Sequence, residues 1–232
     1  MTGFVLKIIA VITMILDHVR YAVPVTECFI TKYGGRLSFP IFAFLITEGL
    51  IHTKSRKKYF MRMLAFACIS QIPFMLFRTL ILDKFMLNIM FTFLFAILGI
   101  VIVEFFQDRE ELSNLYKFFI VVATLFTILL VGYKIPVDYG WFGILTVWLF
   151  YFIRDKKFLR TVSYIILVII YYISRFIPHI ELIDIWSVVC TALPGIIILF
   201  YNGREGKKLK YFFYLFYPIH MLIIYGLSFI FK

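Results

Sequence analysis

The sequence predicts an all-α fold, a polytopic integral membrane helical bundle with about nine transmembrane helices. The first observation is composition: of 232 residues, 63% are hydrophobic and only 16% are charged. Soluble domains average roughly 45–50% apolar and about 25% charged residues, so a core of this size cannot bury the excess. The second observation is that the apolar runs continue unbroken over roughly 20 residues, which is the length of a membrane-spanning helix. A soluble globular domain, a disordered chain and an alternating transmembrane barrel are therefore excluded.

Charged clusters bound the apolar runs and place the individual helices. The predicted helices are at about 4–24, 36–52, 58–78, 88–106, 116–133, 139–153, 159–177, 182–201 and 211–230. Two of these runs, 36–52 and 139–153, are near the short limit for crossing a bilayer, so counts of eight to ten are all consistent with the sequence. No linker and no internal repeat divides the chain, which predicts one domain over residues 1–232.

The distribution of basic residues predicts the orientation of the bundle. If the N-terminus lies inside, the inner connections carry twice as many lysine and arginine residues as the outer ones. The positive-inside rule therefore favours an inner N-terminus and an outer C-terminus. The net charge of +11 would suggest a nucleic-acid partner in a soluble chain, but here it reflects cytoplasmic loops facing the lipid bilayer, and no nucleic-acid partner is expected.

Motifs for metals, redox pairs and cleaved leaders are absent from the sequence. Cys28, Cys68 and Cys190 lie far apart without a C-x-x-C spacing, so neither a disulfide framework nor a metal site is predicted. The N-terminal apolar run has no A-x-A-like cleavage site and is interrupted by Asp17 and His18. It is therefore interpreted as a retained helix rather than a signal peptide.

A few ionisable residues lie within or at the edge of the apolar segments. Inserting each one into the bilayer costs roughly 2.5–3.5 kcal/mol, so each is expected to have a polar partner, to face a water-filled cavity or to serve a function. The residues are Asp17 and His18 in the first helix, Arg36 and Glu48 in the second, Asp138 at the sixth, and His220 in the ninth. A neutral histidine beside a carboxylate and an arginine suits proton removal during acyl transfer. Interhelical hydrogen bonds and a buried structural ion pair are the alternative explanation.

Two basic inner loops form the other candidate binding feature. Their lysine and arginine side chains are candidates to bind the phosphates of a nucleotide-bearing cosubstrate: Lys57, Lys58, Arg204, Lys207 and Lys208. Positive-inside topology and anionic lipids would account for the same charges without any ligand. The glycine-containing loop has no phosphate-loop motif.

Several blocks of sequence, in order along nearly the whole chain, resemble the TraX family. They include Met14-Ile15-Leu16-Asp17-His18, Gly35-Arg36-Leu37-Ser38-Phe39-Pro40, Ser70-Gln71-Ile72-Pro73-Phe74, Asp138-Tyr139-Gly140, Tyr201-Asn202-Gly203-Arg204 and Phe216-Tyr217-Pro218-Ile219-His220. TraX proteins are similar to a wider group of membrane acyltransferases that includes the acyltransferase-3 proteins and the lysosomal heparan glucosaminide acetyltransferase.

The resemblance implies a multi-pass acetyltransferase of the bacterial cytoplasmic membrane. Acetyl-CoA would be the cosubstrate, with no permanently bound cofactor, and the acceptor would be an amine or hydroxyl at the outer side. The activity named for the family is acetylation of the N-terminus of pilin. By this resemblance His18 would be the general base, with Asp17, Arg36 and His220 as site partners.

Four further residues are expected to contact the substrate, namely Glu48, Asp138, Tyr139 and Tyr217. The sequence leaves open the acceptor, the oligomeric state and two other classes of function. A small-solute or proton-coupled transporter would use the same polar residues, although no inverted repeat supports it. A non-catalytic assembly factor would need no acid and base inside the membrane.

Overall fold

The computed structural model of the protein describes residues 1–82, 84–207 and 210–231. Across these residues the fold is all-helical, with an isolated bridge between Leu87 and Val137 and no strand. The helices are α1 (Gly3–Ala22), α2 (Phe29–Gly34), α3 (Ser38–Ile51), α4 (Arg56–Arg78), α5 (Ile89–Gln107), α6 (Asn114–Lys134), α7 (Gly140–Phe152), α8 (Lys157–Phe176), α9 (Ile185–Leu199) and α10 (Lys210–Phe231). The predicted all-α class is confirmed.

Each of the nine predicted segments is helical, with ends that differ from the predicted ones by a few residues. The additional helix, α2, is six residues long and therefore too short to appear as an apolar run. Within the described residues, six helical stretches are long and apolar enough to cross a membrane: Phe29–Ile51, Arg56–Arg78, Ile89–Gln107, Asn114–Lys134, Lys157–Phe176 and Phe212–Phe231. This supports a membrane protein, whereas nine spanning helices are not established.

Three of the nine predicted segments fall outside those six stretches, each for a physical reason. α1 is apolar enough but carries three charged residues, Lys7, Asp17 and Arg20, within its 20 residues. α7 and α9 contain 13 and 15 residues, fewer than the roughly 20 that a bilayer core requires.

Polar residues immediately before the helices explain where several of them begin. The side chains of Thr2, Ser55, Asn88, Ser113 and Asp184 each accept a hydrogen bond from a backbone N–H of the first turn. Such N-caps satisfy donors that a helix end leaves free and typically contribute about 1 kcal/mol each.

α1 packs against α3 and α10, and α10 also packs along α4. α6 lies at the edge, where it contacts α5 and α7 and leaves large apolar side chains such as Phe126 and Tyr133 exposed. Because lipid is as apolar as these side chains, an exposed apolar helix of this length fits a bilayer-facing position.

The two ends of the bundle have different contents. At one end the Gly3 backbone N–H donates to the Arg204 carbonyl at 2.8 Å, and the Asn202 N–H donates to the Met1 carbonyl at 2.9 Å. We call this end, which also contains the start of α4, the basic end. The opposite end contains the last turns of α1, the Gly35–Leu37 turn and the α6–α7 connection, and we call it the histidine end. The basic end contains connections that the sequence predicts to be inner, and the histidine end contains connections that it predicts to be outer.

Candidate functional site

A cavity of about 810 Å³ connects the two ends of the bundle along α1. Its lining includes Gly3 and Lys7 at the start of α1 and Asp17 and His18 near its end. At 1.5 Å per residue, Gly3 and His18 are roughly 22 Å apart along the helix axis. The hydrocarbon core of a bilayer is about 30 Å thick, so the cavity extends over most of that depth.

At the histidine end, two predicted site residues from opposite ends of the chain are in direct contact. The Nδ1 atom of His18 lies 2.9 Å from Nε2 of His220, although 202 positions separate the residues in sequence. His18 lines the cavity, whereas His220 lies behind it and is only 4% exposed. The His18 ring also packs against Phe77, with ring centroids 4.7 Å apart. The contact brings α1, α4 and α10 together at this site.

Asp17 also lines the cavity, although neighbouring positions on a helix diverge by about 100°. Its carboxylate lies 3.3 Å from a guanidinium nitrogen of Arg20, one turn later on α1. Arg20 is also 3.9 Å from the Glu27 carboxylate. Sequence reasoning assigned Arg20 only to topology, yet its i,i+3 spacing from Asp17 is the spacing of neighbours on one helix face.

Arg36 is close to the site but does not line the cavity. It interacts electrostatically with Asp17 and with Tyr139 and Tyr172. Its Nε atom is buried and, within the described part of the chain, has no hydrogen-bond partner. The structure therefore places Arg36 behind Asp17, where its charge offsets that of the carboxylate.

The close approach of the Gly35–Leu37 turn to α1 depends on a glycine. A Cβ atom at Gly35 would lie 2.1 Å from Cβ of Asp17, far inside van der Waals contact. The absence of a side chain at Gly35 lets Asp17 and Arg36 occupy the same small region. The neighbouring Gly34 has no such restriction, because its added Cβ would meet Ile30 at 3.8 Å.

The α6–α7 connection supplies Asp138 and Tyr139 to the cavity wall. Tyr139 has a left-handed backbone with φ of 61°, which is unusual for a bulky residue. Its ring stacks on Phe39 with centroids 3.9 Å apart, and the Asp138 carbonyl accepts a hydrogen bond from Thr92 Oγ1 at 2.5 Å. Desolvation raises the pKa of Asp138 to about 6, with Arg78 acting in the opposite direction.

The basic end of the cavity contains a group of cations around its mouth. The lining cations there are Lys7, Lys54, Lys58 and Arg62. Glu48 and His52 lie among them, with the His52 Nε2 atom 3.6 Å from a Glu48 carboxylate oxygen.

The structure places only some of the predicted phosphate-binding residues on the cavity wall. Lys58 lines the cavity, whereas Lys57, Arg204 and Lys207 are exposed and lie off its wall. Lys208 lies outside the described residues. Sequence reasoning did not identify Lys7 as a site residue. It could have been found because it is a single cation in an otherwise apolar stretch of α1.

All four predicted substrate-contacting residues line the cavity: Glu48, Asp138, Tyr139 and Tyr217. Glu48 belongs to the basic end, and Asp138 and Tyr139 belong to the histidine end. Among the described residues, no group of three or more His, Cys, Asp or Glu side chains is placed to hold a metal ion. The three cysteines are free thiols.

Comparisons with known proteins cover nearly the whole chain. The family described as TraX protein matches residues 2–228. The chain is also 29% identical to the probable fimbrial assembly protein FimC, serogroup H1, of Dichelobacter nodosus, in an alignment that covers 96% of this chain and 94% of the relative. No solved structure matches. Because the family match extends over every helix and both ends of the cavity, the chain belongs to the TraX family.

Proposed function

We propose that this TraX protein is a membrane-embedded acetyltransferase that moves an acetyl group from acetyl-CoA to an acceptor amine or hydroxyl on the other side of the membrane. The observation that carries the proposal is a cavity with cations at one end and His18, Asp17 and Asp138 at the other. This division separates a site for an anionic donor from a site for proton removal. A likeness to the acyltransferase-3-like group would extend the same chemistry to a wider set of membrane enzymes.

The basic end would bind the donor. Acetyl-CoA carries several phosphates on a long, thin pantetheine arm, and lysine and arginine side chains are the usual protein partners of phosphate. Lys58 and Arg62, which line the mouth, would hold the nucleotide while the arm extends into the cavity. This assigns the basic end to the cytoplasm, in a bacterial inner membrane with the N-terminus inside and the C-terminus outside.

At the histidine end, His18 would act as general base. The acceptor nitrogen or oxygen forms a bond to the acetyl carbonyl carbon and gives its proton to His18, and the bond between that carbon and the CoA sulfur breaks. The proton then passes from His18 to the departing thiolate, which leaves as CoA. Asp17 would stabilise the transient imidazolium, while Arg20 and Arg36 hold the carboxylate.

The acceptor is proposed as a component of the cell envelope. The Dichelobacter nodosus relative is named as a fimbrial assembly protein, which favours the N-terminal amine of a pilin-like subunit. A glycan hydroxyl is the second candidate, because a histidine base removes a proton from either group.

The direct test measures acetyl-CoA binding and acetyl transfer by the purified full-length protein in detergent or liposomes. We expect saturable binding that plain nucleotides do not match, and transfer to amine or glycan acceptors that falls at least about 100-fold in His18→Ala, the usual contribution of a general base. His179→Gln is the control, because His179 is exposed near Glu181. Transfer that survives in folded His18→Ala contradicts the mechanism.

Proton-coupled transport of a small solute is the second candidate function, since the same cavity reaches from Lys7 to His18. In that case proteoliposomes would show solute flux without acetyl transfer, and acetyl-CoA would not bind. A non-catalytic assembly factor would give neither signal and would tolerate His18→Ala.

A further inference from the structure

The contact between His18 and His220 determines where the ring protons lie. At the far side of His220, its Nδ1 atom is 2.9 Å from the backbone carbonyl oxygen of Phe216, one turn earlier on α10. The carbonyl of Tyr217 also faces this ring. Because a carbonyl oxygen only accepts hydrogen bonds, Nδ1 of His220 must carry a proton.

The second nitrogen of His220 is then an acceptor. The ring is buried, is 4% exposed, and is stacked on Phe216 with centroids 5.0 Å apart. A cation in such surroundings would cost several kcal/mol, so the ring is neutral and its Nε2 has no proton. The 2.9 Å contact to His18 Nδ1 is therefore a hydrogen bond donated by His18.

The position of the proton on His18 determines which of its ring nitrogens is free to act in the cavity. If His18 carries its proton on Nδ1, its Nε2 atom has a free lone pair, and that atom has no hydrogen-bond partner among the described residues. His18 lines the cavity and His220 does not. Of the two histidines, only His18 can therefore offer a ring nitrogen to an acetyl acceptor that enters the cavity. A ring nitrogen with a free lone pair is what a general base needs.

We infer that His220 is a positioning residue: through a chain running from the Phe216 carbonyl through His220 to His18, it holds the His18 ring in the tautomer with a free Nε2. The catalytic meaning of this chain rests on the proposed function, while the tautomer follows from the geometry. In serine proteases a carboxylate orients the catalytic histidine. Here a neutral ring does so, and no further charge has to be buried in the membrane.

Nuclear magnetic resonance of the intact protein tests the tautomer independently of activity. The chain has four histidines, so the ring signals of ¹⁵N-histidine-labelled protein can be assigned from single His→Gln variants. In the wild type we expect the proton of His18 on Nδ1. In His220→Phe, which keeps an aromatic ring but removes the acceptor, we expect the His18 proton to move largely to Nε2.

The activity of matched variants completes the test. His220→Phe should lower acetyl transfer about 100-fold, within the range of general base catalysis, without changing acetyl-CoA affinity. His220→Gln should retain the His18 tautomer and most of the activity, because an amide oxygen accepts from His18 and an amide N–H donates to Phe216. His179→Gln is the control, and thermal unfolding in detergent verifies that both His220 variants are folded.

The outcomes separate the inference from the function. The inference is overturned if wild-type His18 carries its proton on Nε2. It is also overturned if His220→Phe and His220→Gln lose equal activity and both leave the His18 tautomer unchanged. If the tautomers are as expected but the protein never transfers acetyl groups, the assignment of the ring protons is supported and the proposed function is contradicted.

Discussion

The two ends of the cavity differ in how their polar groups are held. At the basic end, Lys54 and Lys58 are exposed side chains in or beside a connection. At the histidine end, His220 is buried and hydrogen-bonded on both ring nitrogens, and Asp17 is paired with Arg20. Exposed charges act additively and at a distance, whereas buried groups act only in one geometry.

This difference determines how strongly a substitution at each end of the cavity should affect activity and stability. Charges in water are screened over about 10 Å at 0.1 M salt, and one cation of several can be lost at modest cost. Removal of a buried hydrogen-bonding group costs more, because its partner is left unsatisfied unless the new side chain makes the same bonds. We therefore expect single substitutions to have large effects at the histidine end and small ones at the basic end.

The largest effect is expected from Gly35→Ala. The new methyl group would lie 2.1 Å from Cβ of Asp17, so Asp17 or the Gly35–Leu37 turn must move. Overpacking of this kind typically costs about 1–3 kcal/mol of stability, and a displacement near 1 Å can lower catalysis about 100-fold. The measurements are the thermal midpoint and kcat/KM for acetyl transfer.

Gly34→Ala is the matched control for that experiment. Both glycines have right-handed helical backbones, with φ of −59° and −60°, but only Gly35 faces Asp17. Equal losses in the two variants would show that helix geometry, rather than the contact with Asp17, is responsible.

A smaller effect is expected from the cations of the basic end. Lys58→Gln with Arg62→Gln should raise KM for acetyl-CoA about tenfold and leave kcat nearly unchanged, because the lost charges bind the nucleotide without touching the acetyl group. Arg204→Gln with Lys207→Gln, which removes two cations off the cavity wall, should change KM less than twofold. The affinity of the wild type should fall with rising salt.

Identical KM values for the two double variants would contradict the assignment of Lys58 and Arg62 to the donor site. In that case the basic residues would be explained by topology alone. Lys156→Gln, an exposed residue of the α7–α8 connection, is the control for a general change in surface charge.

The last expected effect is on stability rather than on activity, and it is a pH dependence that comes from Asp138. Because its pKa is raised to about 6 in the folded protein, against an ordinary value of 3.8, the folded state binds more protons than the unfolded state between these values. The contribution of Asp138 to stability is therefore fully present below its unfolded value of 3.8, and it is lost as pH rises through about 6. Asp138→Asn should flatten this part of the profile of thermal midpoint against pH.

An unchanged profile in folded Asp138→Asn would mean that another group titrates over this range. Arg78, Asp17 and the Tyr139 backbone face Asp138, so Asp17→Asn, measured over the same range, identifies the alternative.

Much of the helical architecture follows directly from sequence. Uninterrupted apolar runs bounded by charges located the nine segments, because a bilayer-length run can satisfy its backbone only as a helix. The number of spans does not follow in the same way, since α1 contains three charges and α7 and α9 are short. The six-residue α2 left no periodic signal.

The site could be predicted only in part. Asp17, His18, Asp138 and His220 were recognisable because ionisable groups are rare in apolar segments. The roles of Arg20 and Gly35 were not recognisable, since a charge at a helix end and a glycine in a turn each have common structural explanations. The sequence also placed five basic residues in a donor site. The fold separates Lys57, Arg204 and Lys207 from the cavity wall, keeps Lys58 on it, and leaves Lys208 outside the described residues.

Sequence by itself determined the membrane class, the helical segments, the family and most of the polar residues, because these depend on local composition and spacing along the chain. Tertiary structure alone decided that His18 meets His220, that Gly35 packs against Asp17, and that a cavity joins the two ends. Such contacts depend on how separate helices pack against one another, and no local pattern in the chain encodes the rotation of one helix relative to the next.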